Sequence, residues 1–142
     1  MRAVLISIQP KWCELIASGK KTVEVRKTKP KIETPFKCYI YETQGKRVRL
    51  SRFFWGYEGT SKVIGEFICN EITVADYGSY CVLPKSKTMI DELDLLDYAN
   101  EKAVYGWHIS DLVIYDKPRG LGEFNLTSPP QSWCYVESEG GK

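Results

Sequence analysis

Residues 7–26 read Ser-Ile-Gln-Pro-Lys-Trp-Cys-Glu-Leu-Ile-Ala-Ser-Gly-Lys-Lys-Thr-Val-Glu-Val-Arg, and no other stretch limits the fold so tightly. Arg2 to Ile8 is rich in Val, Leu and Ile and alternates as a strand does. Pro10 suits a first helical turn, where its missing N–H costs nothing. Trp12, Leu15 and Ile16 then fall at i, i+3 and i+4, the apolar face of a short helix. Gly19 supplies the left-handed position that ends such a helix. From Thr22 to Arg26 the period changes to two: Val23 and Val25 face one side, Thr22, Glu24 and Arg26 the other. The expected unit is strand, helix, tight turn, strand.

The turn and second strand spell Gly-x-Lys-x-x-Glu-x-Arg, placing Lys20, Lys21, Glu24 and Arg26 within seven residues. Two readings stay open. Glu24 paired with Arg26 on an exposed strand is a solvated ion pair, stabilising by under about 1 kcal/mol. On a cleft wall, the same pair holds the Arg fork in a fixed plane for a phosphate or a base edge. A Lys at the mouth of an apolar pocket has its pKa lowered and becomes a possible base or nucleophile.

Further strands are expected at Phe36–Glu42, 62–74 with a bend at Gly65, 104–109, 112–115 and 132–136, with Ser110-Asp111 as the turn between the third and fourth of these five spans. Asp116-Lys117-Pro118 is expected to stop the strand before it. Thr88-Met89-Ile90-Asp91 resembles a capping box opening an acidic helix with Ile90, Leu93 and Leu96 as its apolar stripe. The segment 47–62 mixes Arg47, Arg49 and Arg52 with Phe53, Phe54, Trp55 and Tyr57. It reads as a long, partly ordered loop, which either stacks bases and tracks a backbone or is merely pinned by its aromatics. Seven short strands and two helices favour an α+β fold built on a small barrel, with helices on its rim. An open sheet is the alternative.

At 142 residues one domain is expected over 1–142, with 137–142 as a frayed tail. No apolar run approaches the roughly 18 residues of a membrane span. Met1-Arg2-Ala3 leads directly into a strand pattern without an apolar leader core, so the cytoplasm is the expected compartment. Cys13, Cys38, Cys69, Cys81 and Cys134 never form Cys-x-x-Cys, and His108 is the single histidine. That pattern argues against a metal site and for core cysteines in a reducing compartment. His108, in an aromatic strand, reads as a hydrogen-bonded core residue or a ligand contact. Neither Gly-x-Gly-x-x-Gly nor Gly-x-x-x-x-Gly-Lys occurs, so no nucleotide cofactor is expected. Net charge is +2, but residues 1–62 carry 14 Lys and Arg against 5 Asp and Glu, and the remainder 6 against 13. A basic face able to meet phosphates is one outcome of that asymmetry.

The block Ser7-Ile8-x-Pro10 … Ile16-x-x-Gly19-x-Lys21-Thr22-x-Glu24-x-Arg26 resembles the signature of the ASCH domain family of the PUA-like superfamily. Val63-Ile64-Gly65-Glu66-Phe67, Tyr105 to Leu112, and Ile114 to Pro118 add to the resemblance. The ending Pro129 to Val136 is similar to that of small stand-alone bacterial and phage members. The resemblance implies a PUA-like mixed β-barrel of about six to seven strands, with a basic cleft beside the first helix that binds RNA or a nucleotide. It implies ligand contacts from Trp12, Lys20, Lys21, Glu24, Arg26, Trp107, His108 and Ser110, with no metal and no membrane partner. One branch of the family hydrolyses the amide of N4-acetylcytidine with a Gly-x-Lys-x-x-Thr turn and a later Glu. On that alternative Lys21 is base or nucleophile beside Thr22 and Glu24, and Glu92 is the candidate later acid. Here Glu24 stands where that branch has Thr. Ribonuclease activity is a further reading within the family.

Overall fold

The computed structural model describes residues 1–76 and 83–138. Chain order is β1 (Arg2–Ile8), α1 (Pro10–Ala17), β2 (Val23–Arg26), β3 (Phe36–Glu42), β4 (Arg47–Arg49), β5 (Trp55–Tyr57) and β6 (Lys62–Ala75). Then come α2 (Lys85–Thr88), α3 (Glu92–Ala99), β7 (Val104–Arg119), a 3₁₀ turn (Leu121–Phe124) and β8 (Trp133–Glu137). Six strands form one mixed sheet in the order β2-β7-β6-β3-β1-β8, and β4-β5 is a separate hairpin. Among the described residues, only β1 and β3 pair in parallel.

The α+β architecture with short rim helices is as expected, but the barrel does not close. β2 and β8 are the two ends of the sheet, and side chains replace the missing ladder between them. Arg26 of β2 donates to Ser7 O and to Ser132 Oγ, just before β8. Beyond β2, Thr28 Oγ1 accepts from Trp133 Nε1, and the Lys31 amide donates to the Tyr135 hydroxyl.

Strand β1 is buried from Ala3 through Ile8 because both of its faces are covered. On one face Val4, Ile6 and Ile8 pack with Cys13 and Ile16 of α1 and with Trp107. On the other, Ala3 and Leu5 meet Tyr39, Phe124 and Val136. A third cluster seats α3 through Leu95 and Ala99 on Val23, Val25 and Val104. Cys13, Cys38 and Cys69 are buried and Cys134 is half-buried, all as free thiols; Cys81 and 139–142 lie outside the described residues.

Four expectations need correction. First, 104–119 is one strand, because Asp111 takes the left-handed conformation (φ 49°) and forms a bulge rather than a turn. Ser110 pairs with Ile68 and Val113 with Glu66, so two β7 residues oppose Phe67 alone. Pro118 fits beyond it, since the ladder is broken between Ile114 and Arg119 and no N–H is demanded there. Second, 47–57 is a hairpin, with Arg47 opposite Tyr57 and Arg49 opposite Trp55; its three-residue strands are too short to show a period. Third, Thr88 ends α2 instead of capping α3, and its hydroxyl accepts from the Ile90 amide. Fourth, Leu93 and Leu96 are exposed while Leu95 and Ala99 are buried; of the expected stripe only Ile90, ahead of the helix, packs against the third cluster, and the two leucines lie on the outer face. Glu137, placed in the tail by pattern, closes β8 opposite Arg2.

Leu95→Ala is therefore expected to cost about 2–5 kcal/mol, and Leu93→Ala to stay within about 0.5 kcal/mol of wild type. Urea denaturation of the two variants checks which helix face packs.

Candidate functional site

The turn after α1 builds the site. Gly19 has φ +80°, and an added side chain would meet nothing there, so the backbone conformation alone favours glycine. The Lys21 amide donates to Leu15 O, which folds the chain back beneath the helix. Lys21 is consequently buried. Its Nζ donates to Thr88 O at 2.6 Å, lies 3.4 Å from Glu24 Oε1, and sits 4.7 Å from the centre of the Trp12 ring. Burial pulls the Lys21 pKa below its ordinary 10.5, and the Glu24 carboxylate opposes that shift. Since the folded-state value is depressed, raising the pH through the window up to 10.5 favours the folded chain.

Glu24, itself buried, is shared between two cations. Its Oε1 faces Lys21, and its Oε2 accepts from Arg26 Nε at 3.1 Å and Nη2 at 2.7 Å. Arg26 Nη2 also reaches Ser7 O at 2.6 Å, and Nη1 reaches Ser132 Oγ at 3.2 Å. The exposed-ion-pair reading of Glu24–Arg26 therefore fails, because the strand face is covered. So does the picture of an Arg fork held wholly free for a ligand: most of its donors clamp the seam between β2, β1 and β8.

Glu24 and Arg26 form part of the wall of a cleft of about 590 Å³ beside α1. Trp12 comes from the helix and Tyr98 from α3, while Gln9, Thr43 and Gln131 supply neutral polar groups. The expected basic cleft is not found. Lys11 and Arg26 are met by Glu24, Asp91 and Asp94 in the same lining.

The other expected site residues lie apart from it. Lys20 is exposed at the turn. Thr22 is exposed just ahead of β2 and contributes its backbone, taking a hydrogen bond from the Ile109 amide and donating to Lys87 O. Trp107 is fully buried, between Phe36 and Trp133, with its Nε1 on Thr28 O; a ring with no accessible face cannot be a stacking wall. His108 pairs with Thr73, Nε2 to Oγ1 at 2.7 Å. Ser110 donates to Ile68 O. None of these five, nor exposed Glu92, borders the cleft.

Pattern reasoning missed Asp91, Asp94 and Tyr98. They fall at i, i+3 and i+7, one face of α3. In the sequence they form a polar stripe at helical spacing beside the apolar residues.

The charge cluster makes a stability prediction. Glu24→Gln leaves buried Lys21 and partly buried Arg26 without their shared carboxylate and is expected to cost about 3–5 kcal/mol. Adding Lys21→Met to that variant should recover part of the loss, so the double-mutant cycle by urea denaturation gives a coupling of about 1 kcal/mol or more.

The ASCH domain family model matches residues 6–108, the span that carries α1, the turn, β2 and most of the cleft. No curated protein matches the chain in sequence. Among solved structures, the ASCH protein from Zymomonas mobilis is 23% identical, with a TM-score of 0.71 over 96% of this chain and 89% of that one. Two single-substitution variants of that protein give 22% identity and the same TM-score, covering 91% and 89% of their chains. At that identity the likeness speaks for the fold. The family match and the architecture agree: the chain belongs to the ASCH domain family.

Proposed function

We propose that the protein binds RNA or a nucleotide by taking one nucleoside into the cleft beside α1. The observation that carries this reading is the composition of the wall: two aromatic rings, Trp12 and Tyr98, around a floor of fixed donors and acceptors. The volume is within the range of small-molecule sites. Rings of this kind stack bases, with roughly 1–3 kcal/mol per base at stake. The near balance of charge argues for reading a base rather than tracking a phosphate chain. Asp91 and Asp94 are acceptors suited to an exocyclic amino group, as on cytosine. Lys11, on the rim, is the cation placed for a phosphate.

Cytidine monophosphate is expected to shift the amide resonances of Gln9, Lys11, Trp12, 24–26 and 91–98, with little dependence on salt. Trp12→Ala should weaken that binding by about fivefold or more, with the thermal midpoint of the protein retained as the control. Binding unaffected by Trp12→Ala would reject the cleft as the nucleoside site.

A second reading, hydrolysis of an N4-acylated cytidine, draws on one observation: burial lowers the pKa of Lys21, as a general base or nucleophile needs. Its Nζ is enclosed by Thr88 O, Glu24 and Trp12 and does not border the cleft, so catalysis requires Lys21 to leave these contacts. Release of cytidine from N4-acetylcytidine, followed by chromatography and lost in folded Lys21→Met, is the expected result on this reading. Absence of turnover by wild type removes it and leaves the binding function.

A further inference from the structure

The hairpin β4–β5 stands outside the main sheet and carries a surface that neither the core nor the cleft uses. Phe53, Phe54, Trp55 and Tyr57 are 80%, 69%, 54% and 51% exposed. The register puts Arg47 opposite Tyr57 and Arg49 opposite Trp55, so two Arg–aromatic cross-strand pairs share one face of the ribbon. The Arg47 and Arg49 guanidinium carbons lie 5.0 and 5.9 Å from the Trp55 ring centre, and that of Arg52 is 5.6 Å from the Phe53 ring. Arg49 is held in place by the turn, with Nη2 on Arg52 O and Nε on Ser51 O. Cations next to exposed rings form a pattern with two kinds of partner, phosphate for the guanidinium and base faces for the rings.

A path joins this ribbon to the cleft. Gln9, Lys11 and Thr43 border the cleft and also border a second hollow of about 380 Å³, whose far side is Gly45, Lys46 and Glu58 at the hairpin base. Positive charge increases along it, from the balanced cleft through Lys11 and Lys46 to Arg47, Arg49 and Arg52.

We propose that the β4–β5 hairpin is a contact arm for a single-stranded polynucleotide, which leaves the cleft across this hollow and lies along the Arg–aromatic face. The path of the strand rests on the cleft reading; the contact made by the arm does not. A second copy of this chain is the competing occupant, since α3 presents Leu93 and Leu96 among acidic residues. Continuity with the cleft and the alternation of rings with guanidinium groups favour the polynucleotide.

The test uses an end-labelled octamer of oligocytidylate, titrated by fluorescence anisotropy at two salt concentrations, with cytidine monophosphate in parallel. The triple variant Arg47→Gln, Arg49→Gln, Arg52→Gln is expected to bind the octamer more than tenfold more weakly. Its slope of log affinity against log salt should fall by about 2, at roughly 0.7 per phosphate on a single strand. Trp55→Ala should weaken octamer binding by roughly fivefold or more, and neither change should alter cytidine monophosphate binding. Octamer affinity unchanged in the triple variant overturns the proposal while leaving the cleft reading standing. Hairpin-dependent octamer binding with no mononucleotide binding supports the arm and rejects the cleft reading. A concentration-dependent dimer in sedimentation, lost in the triple variant, assigns the face to a second copy and overturns the proposal.

Discussion

The buried cluster Lys21–Glu24–Arg26 is the interaction on which the rest of the structure hangs. Three charges taken out of water cost several kcal/mol each before compensation, and here the compensation is structural. Lys21 satisfies the end carbonyl of α2, Arg26 a carbonyl of β1 and the hydroxyl of Ser132, and Glu24 both cations. Among the described residues no buried side-chain polar atom lacks a partner. A sheet whose end strands share no ladder needs some other tie across its seam. The four-residue β2 supplies it by pointing one arginine across the gap.

That arrangement also shapes the chemistry of the cleft. Because Glu24 and Arg26 spend much of their hydrogen-bonding capacity on each other and on the fold, they act as a fixed polar floor more than as a mobile grip. Rigid donors and acceptors under aromatic walls discriminate between base edges better than they attract phosphates. The basic first half and acidic second half of the chain meet here. Lys11 and Arg26 come from one, Asp91 and Asp94 from the other, so segregation along the sequence becomes near-neutrality in space. The positive surplus lies elsewhere, on the hairpin and on exposed lysines such as Lys20, Lys27 and Lys29.

Local spacing made much of this legible. Pro10, the Trp12/Ile16 face, Gly19 and the two-residue period of β2 depend on interactions within one turn or one pleat, and the structure has each in place, with Cys13 rather than Leu15 buried beside Ile16. Lys21, Glu24 and Arg26 were likewise readable as a unit, since seven residues across a turn and a strand leave them few ways to separate. The Leu93/Leu96 stripe misled because α3 is short, and either face of it repeats an apolar residue at helical spacing.

What tertiary structure alone decided was which side of each element is covered. Trp107 and Trp12 are both tryptophans beside the motif, yet the pairing of β7 with β2 and β6 sends one into the core, while the rim position of α1 leaves the other on the cleft wall. Asp111 sits in a Ser-Asp pair that locally suits a turn, and the ladder with β6 makes it a bulge. Short-range geometry was already fixed in the local sequence, because sterics and periodicity act between neighbours. Burial, charge balance and the composition of the cleft came from contacts between residues distant in the chain, whose free energy no local window contains.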